Sequence, residues 1–79
     1  MEIAYRNHIN FEELFNRFSS IAGEIGKIYN QHFGFGLAIN GVGSITLITN
    51  DIEKEISDQL IYQLRLLVQE LDREPQSNL

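Results

Sequence analysis

The apolar residues of this chain change period along its length, and each change marks an element. Over Met1–Arg6, Ile3 and Tyr5 alternate with Glu2, Ala4 and Arg6, the period of two of a short strand. After a connector, Asn10 reads as a helix N-cap, with Glu13 placed to complete a capping box. From there Phe11, Leu14, Phe18, Ile21, Ile25 and Ile28 recur at spacings of three and four, which predicts a helix over 11–32 with these residues on one face. Phe15, Ala22 and Tyr29 widen its apolar face. Its other side carries Ser19, Ser20, Gly23 and Gly26. An interior glycine costs ~1 kcal/mol against alanine. This small stripe is therefore a tolerated weakness, a kink near Gly23, or a flat groove for another backbone.

The period then returns to two. Phe33, Phe35, Leu37 and Ile39 alternate with Gly34, Gly36, Ala38 and Asn40, a strand with one large and one small face. Asn40-Gly41-Val42-Gly43 predicts a hairpin turn with positive φ at Asn-Gly, and Ser44–Thr49 the returning strand. Asn50, with Glu53 three residues on, predicts the cap of a second helix. Its core stripe is Ile52, Ile56, Leu60, Leu64, Leu67 and Leu71, flanked by Ile61 and Val68. Pro75 ends it, and 74–79 is expected to be a flexible tail behind one domain over 1–73.

The order β-α-β-β-α predicts an α+β fold, a three-stranded sheet with two helices packed on one face. If the first strand lies parallel to a hairpin strand, the crossover is right-handed. A second helix of ~22 residues would be ~33 Å long, against ~20 Å for six-residue strands. Its apolar C-terminal half should therefore overhang the sheet. Tyr62 and Leu66 fall off the core stripe and point outward, so self-association as a symmetric dimer through this helix is expected, unless the first helix covers them. The small sheet face, with Gly34, Gly36, Ala38, Thr46 and Ile48, is left without a covering helix, and the hairpin edge is free to accept a strand.

Composition narrows the chemistry. The 79 residues include 6 basic and 11 acidic ones, a net charge of −5, with no cysteine. That excludes disulfides, thiol nucleophiles and cysteine zinc sites, and disfavours nucleic acid as a partner. No stretch approaches the ~18 apolar residues of a membrane span. No targeting segment is expected in Met1–Arg6, so a cytoplasmic protein without membrane association is expected. His8 and His32 lack ligand spacing, and no serine has a nucleophile's context, so neither catalytic residues nor a metal or cofactor is expected. Gly34-Phe35-Gly36 lacks the rest of a phosphate loop. Acidic residues gather at the start of the second helix (Asp51, Glu53, Glu55, Asp58) and at its end (Glu70, Asp72, Glu74), on faces that suit solvent or a basic groove.

Met1-Glu2-Ile3, the segment Ile28–Phe33, the Gly41–Ser44 turn and the helix from Asp51 together resemble the DinI-like family of small bacterial and phage-borne regulators. The resemblance implies a β-α-β-β-α fold that modulates the RecA filament, with Glu70, Asp72 and Glu74 as the carried-over acidic positions. The chain departs from that family in its aliphatic second helix and in the missing proline after the first. Ile21-Ala22-Gly23-Glu24-Ile25-Gly26 is similar to the I-x-G-x-x-G core of the KH domain. That resemblance implies a single-stranded nucleic-acid module using Gly23, Gly26 and Lys27. The expected function is a small non-enzymatic regulator or inhibitor that binds another protein and forms a homodimer. Its contact residues are Asp51, Glu55, Asp58, Tyr62, Leu66 and Glu70. The degenerate KH-like reading is the alternative.

Overall fold

A computed structural model describes residues 1–41 and 43–73; the expected tail at 74–79 and the stop at Pro75 lie outside the described residues. The elements are β1 (Glu2–Ala4), α1 (Phe11–Tyr29), β2 (Phe35–Asn40), β3 (Ser44–Thr49) and α2 (Lys54–Leu71). The sheet is antiparallel throughout, in the order β1-β3-β2. β1 therefore reaches the hairpin through an antiparallel neighbour, and the parallel pairing considered from the sequence does not arise.

Cross-strand partners Ile3, Ile45 and Ile39 share a sheet face with Phe35, Leu37 and Leu47. Ile3 and Ile45 are buried in one cluster with Leu14, Phe18 and Ile25 of α1 and with Ile56, Leu60, Leu64 and Val68 of α2. Both helices thus cover the same face. α1 lies over β2, where the Phe18 ring meets Phe35 edge-on at 5.1 Å. The helices run antiparallel: Arg17 pairs with Glu70 at one end at 2.7 Å, and the Tyr29 hydroxyl donates to Glu55 at the other at 3.2 Å. Among the described residues, no helix covers the opposite sheet face. There Ile48 is exposed, and Asn40 Nδ2 donates to Ser44 Oγ and Thr46 Oγ1.

The boundaries differ from the sequence reading for local reasons. Asn10 caps α1, accepting from the Glu13 amide at 3.1 Å. The helix stops at Tyr29, short of residue 32, because Asn30 turns left-handed (φ 52°). The Gln31 amide then donates to Gly26 O at 2.9 Å and the Asn30 amide to Lys27 O at 3.2 Å, a Schellman closure. Phe33 and Gly34 consequently belong to the connector, and β2 starts at Phe35. β1 ends at Ala4 because the amides of Arg6 and Asn7 leave the sheet and donate to the Asp72 carboxylate at 2.7 and 2.8 Å. α2 begins at Lys54, so the capping box expected at Asn50 is not formed. Glu53 takes the cap position without a side-chain bond, and half-buried Ile52 packs against the core from the connector. At 18 residues the helix is ~27 Å long. The turn's positive φ falls on Gly43 (φ 80°) rather than on Asn40-Gly41.

α1 is continuous through Gly23-Glu24-Ile25-Gly26, and Ile25 is buried within it. The two glycines have different reasons. A Cβ at Gly26 would stand 2.9 Å from the Gln31 carbonyl oxygen, so the returning chain occupies that space. A Cβ at Gly23 would meet nothing within 4 Å. Gly23→Ala is accordingly expected to raise stability by ~0.5–1 kcal/mol. Gly26→Ala is expected to lower it by about 1 kcal/mol, overpacking outweighing helix propensity. Urea midpoints of the two variants measure the contrast, and equal shifts would contradict it.

Candidate binding surface

α2 turns two faces of different character. Ile56, Leu60, Leu64, Leu67 and Leu71 face the sheet, as the 3-4 spacing predicts. Tyr62 and Leu66, four residues apart, lie on the outward face and are 56% and 44% exposed. Leu66 lines a shallow groove of about 200 Å³ between the helices, together with Ile21 and Arg17 of α1 and Gln63, Leu67 and Glu70 of α2. Half-buried Ile21 supplies the groove's α1 wall. Seven residues further, on the same flank of α1, Ile28 is 76% exposed. Ile21 and Leu66 thus meet across the groove, while Tyr62 stands one turn from Leu66 on α2 and Ile28 two turns from Ile21 on α1, each exposed on its own helix.

The 3-4 spacing puts Ile28 on one helix face with Leu14 and Ile25, yet those two are buried and Ile28 is exposed. A 3-4 alternation averages 3.5 residues per position pair against 3.6 per turn, so it drifts ~20° per heptad. By Ile28 the drift has carried the stripe from the sheet to the flank. The same periodicity argument, followed to the end of the helix, is the signal that finds this residue.

The acidic residues are occupied to different degrees. Glu70, expected as a partner contact, holds Arg17 across the helix pair. Asp58 accepts from Lys54 Nζ at 2.8 Å, one turn away, and this bond raises the Lys54 pKa. Glu55 accepts from Tyr29, whose hydroxyl is pushed up in pKa by partial removal from water and then by the adjacent carboxylate. Asp72 joins β1 to α2, and the backbone amides of Arg6 and Asn7 hold its carboxyl below the usual carboxylate range. Asp51 is exposed in the β3–α2 connector. Of the predicted contact residues, Leu66 and Glu70 line the groove, and Tyr62 stands one turn from Leu66 on the outward face of α2. Asp51, Glu55 and Asp58 lie towards the other end of α2. Exposed pairs of this kind contribute little to stability and remain available to a partner.

A second concavity, about 420 Å³, lies on the other flank of α1. Its walls include Ser19, Gly23, Gly26 and Lys27 of the small stripe, with His32, Phe33 and Phe35 from the returning chain. The three residues of the nucleic-acid alternative therefore share one cleft, in helical rather than loop conformation. No group of three or more His, Asp or Glu side chains suited to a metal occurs among the described residues. No helix among them is long and apolar enough to cross a membrane. The chain matches no known protein family, curated protein or solved structure.

Proposed function

We propose that this protein is a small cytoplasmic regulatory or inhibitory module that acts without catalysis, by binding another protein through the outward face of its helical layer. The observation that carries this reading is the exposed pair Tyr62 and Leu66 on the outward face of α2, with Leu66 lining the inter-helix groove. Large apolar side chains gathered on one face cost solvation unless a partner covers them. Tyrosine and large aliphatic side chains also make effective anchors when seated in a partner's pocket. The carboxylates of Asp51, Glu55, Asp58 and Glu70 give this face its charge, so the fitting partner presents an apolar cleft with a basic rim.

Tyr62→Glu with Leu66→Glu tests the reading. Both side chains are more than two-fifths exposed, so the fold, followed by circular dichroism, should be unchanged. Affinity for the protein captured by the wild type from nuclease-treated lysate should fall more than about tenfold, since anchor residues contribute ~2 kcal/mol or more each. Equal capture by the variant would sink the proposal.

The cleft on the opposite flank favours one further reading, a single-stranded nucleic-acid module. Phe33 and Phe35 could stack bases there, and Lys27 could meet a phosphate. The net charge of −5 opposes it, because phosphate contacts supply most of such affinity. Capture abolished by nuclease, and by Gly23→Asp, would establish it in place of the protein-binding reading.

A further inference from the structure

β2 is an edge strand, and nothing in its sequence blunts it. Phe35–Asn40 contains no proline and no ionisable residue. Its six partners on β3 run in unbroken register, without a bulge. Among the described residues, its backbone makes hydrogen bonds only within the hairpin. Soluble proteins ordinarily protect such an edge with charge, proline, a bulge or a covering segment. The other edge is protected in this way. β1 is three residues long, carries Glu2, and its exit is tied to the end of α2 by Asp72.

The direction of the free groups on β2 follows from the ladder. The Tyr5 amide donates to Gly43 O at 2.9 Å, so Gly43 turns its backbone towards β1. Antiparallel strands alternate, so Ile45 and Leu47 do the same, while Ser44, Thr46 and Ile48 turn towards β2. Their partners Asn40, Ala38 and Gly36 are thereby satisfied. The amides and carbonyls of Phe35, Leu37 and Ile39 point outward from the sheet.

We infer that this edge is the contact between two copies of the chain, joined by antiparallel β2–β2 pairing about a two-fold axis at Leu37. The register is self-complementary. Leu37 meets the partner's Leu37, Phe35 meets the partner's Ile39, and Gly36 meets the partner's Ala38. The outward backbone groups of one copy then face those of the other, which makes a continuous six-stranded sheet. Ile39, 52% exposed although it lies on the helical side of the sheet, gains the partner's Phe35 as a neighbour. Phe15, 39% exposed beside Phe35 with ring centroids 5.7 Å apart, faces the same seam.

Charge selects a second copy as the occupant here and disfavours it on α2. Two copies of a chain of net charge −5 repel wherever their acidic faces meet. A symmetric contact through α2 would have to desolvate Glu55 and the exposed ion pairs Lys54–Asp58 and Arg17–Glu70 against their copies. The β2 edge carries no charge at all. On the α1 flank above it, Ser19 and Gly23 lie between Glu12 near the start and Lys27 near the end. A two-fold axis sets the two α1 helices antiparallel, so the Glu12 end of each faces the other's Lys27 end, where Lys27 is shared with Glu24 of its own helix at 3.4 Å. The homodimer expected from the sequence is thus moved from α2 to β2, which leaves the α2 face free for another protein.

Sedimentation equilibrium of the full chain tests this, alongside Ile39→Lys and Tyr62→Glu/Leu66→Glu. The wild type should run at twice the 9.1 kDa chain mass. Ile39→Lys, at an exposed position, should run at the chain mass with unchanged circular dichroism, and the α2 double variant should remain dimeric. Amide exchange of the wild type provides a readout independent of folding in the variant. Phe35, Leu37 and Ile39 should become protected as protein concentration rises through the dimerisation range. A monomeric wild type would overturn the inference. So would a dimer dissociated by the α2 variant but not by Ile39→Lys, or outward amides that exchange freely in the dimer. Loss of the protein partner in the α2 variant, with dimer mass retained, separates this inference from the proposed function.

Discussion

Phe18→Ala is expected to destabilise the protein by about 3–5 kcal/mol, the cost of removing a fully buried aromatic side chain and leaving a cavity. Phe18 is completely buried where α1 crosses β2, with its ring edge-on to Phe35. Neighbouring Leu14 and Ala22 are held on the same rigid helix and can close the space only in part. A domain of this size without disulfides has a total stability of ~3–5 kcal/mol. The variant should therefore be largely unfolded in buffer at 25 °C, with circular dichroism reporting lost helix. Phe18→Leu keeps most of the volume and should stay folded with a reduced urea midpoint. A folded Phe18→Ala protein with a near-native midpoint would mean that α1 does not dock on β2 through this residue.

Gly43→Ala is expected to cost about 2 kcal/mol or more, a large loss for an added methyl group. Gly43 has φ 80°, where an L side chain costs ~1–2 kcal/mol by itself. A Cβ there would also stand 3.1 Å from the Tyr5 carbonyl oxygen, in a peptide whose Arg6 amide is held by the Asp72 carboxylate. The turn and the docking of β1 are therefore strained together. Urea unfolding of Gly43→Ala beside Gly41→Ala measures this, since a Cβ at Gly41 would meet nothing within 4 Å. Equal losses at the two positions would show that turn flexibility, rather than φ and the β1 contact, sets the cost.

Element identity was legible because it depends on periodicity, which is local. The alternation around Leu37 and Leu47 and the 3-4 spacing from Leu14 to Ile25 each predict the element found. Boundaries were less legible, because distant groups compete for the backbone at element ends. The amides of Arg6 and Asn7 could have continued β1, and the Asp72 carboxylate, 66 and 65 residues away, takes them instead. The Asn50 cap gave way to Glu53 once Ile52 packed into the core from the connector. Asn30 was a readable signal for the end of α1, since asparagine tolerates the left-handed conformation that closes a Schellman motif.

The candidate surface divides in the same way. That Tyr62 and Leu66 point away from the core of α2 is a property of the helix alone, set by 100° per residue. That Ile21 of α1 meets Leu66 depends on the antiparallel packing of the two helices, marked by the contacts Arg17–Glu70 and Tyr29–Glu55. The sequence by itself determined the order of elements, the apolar faces of both helices and the hairpin, because each arises from contacts between near neighbours in the chain. Only the tertiary structure decided that β3 is the central strand and β2 an edge strand, and that Glu70 and Glu55 of α2 meet Arg17 and Tyr29 of α1. Those outcomes depend on which distant groups meet, and no local pattern carries that information.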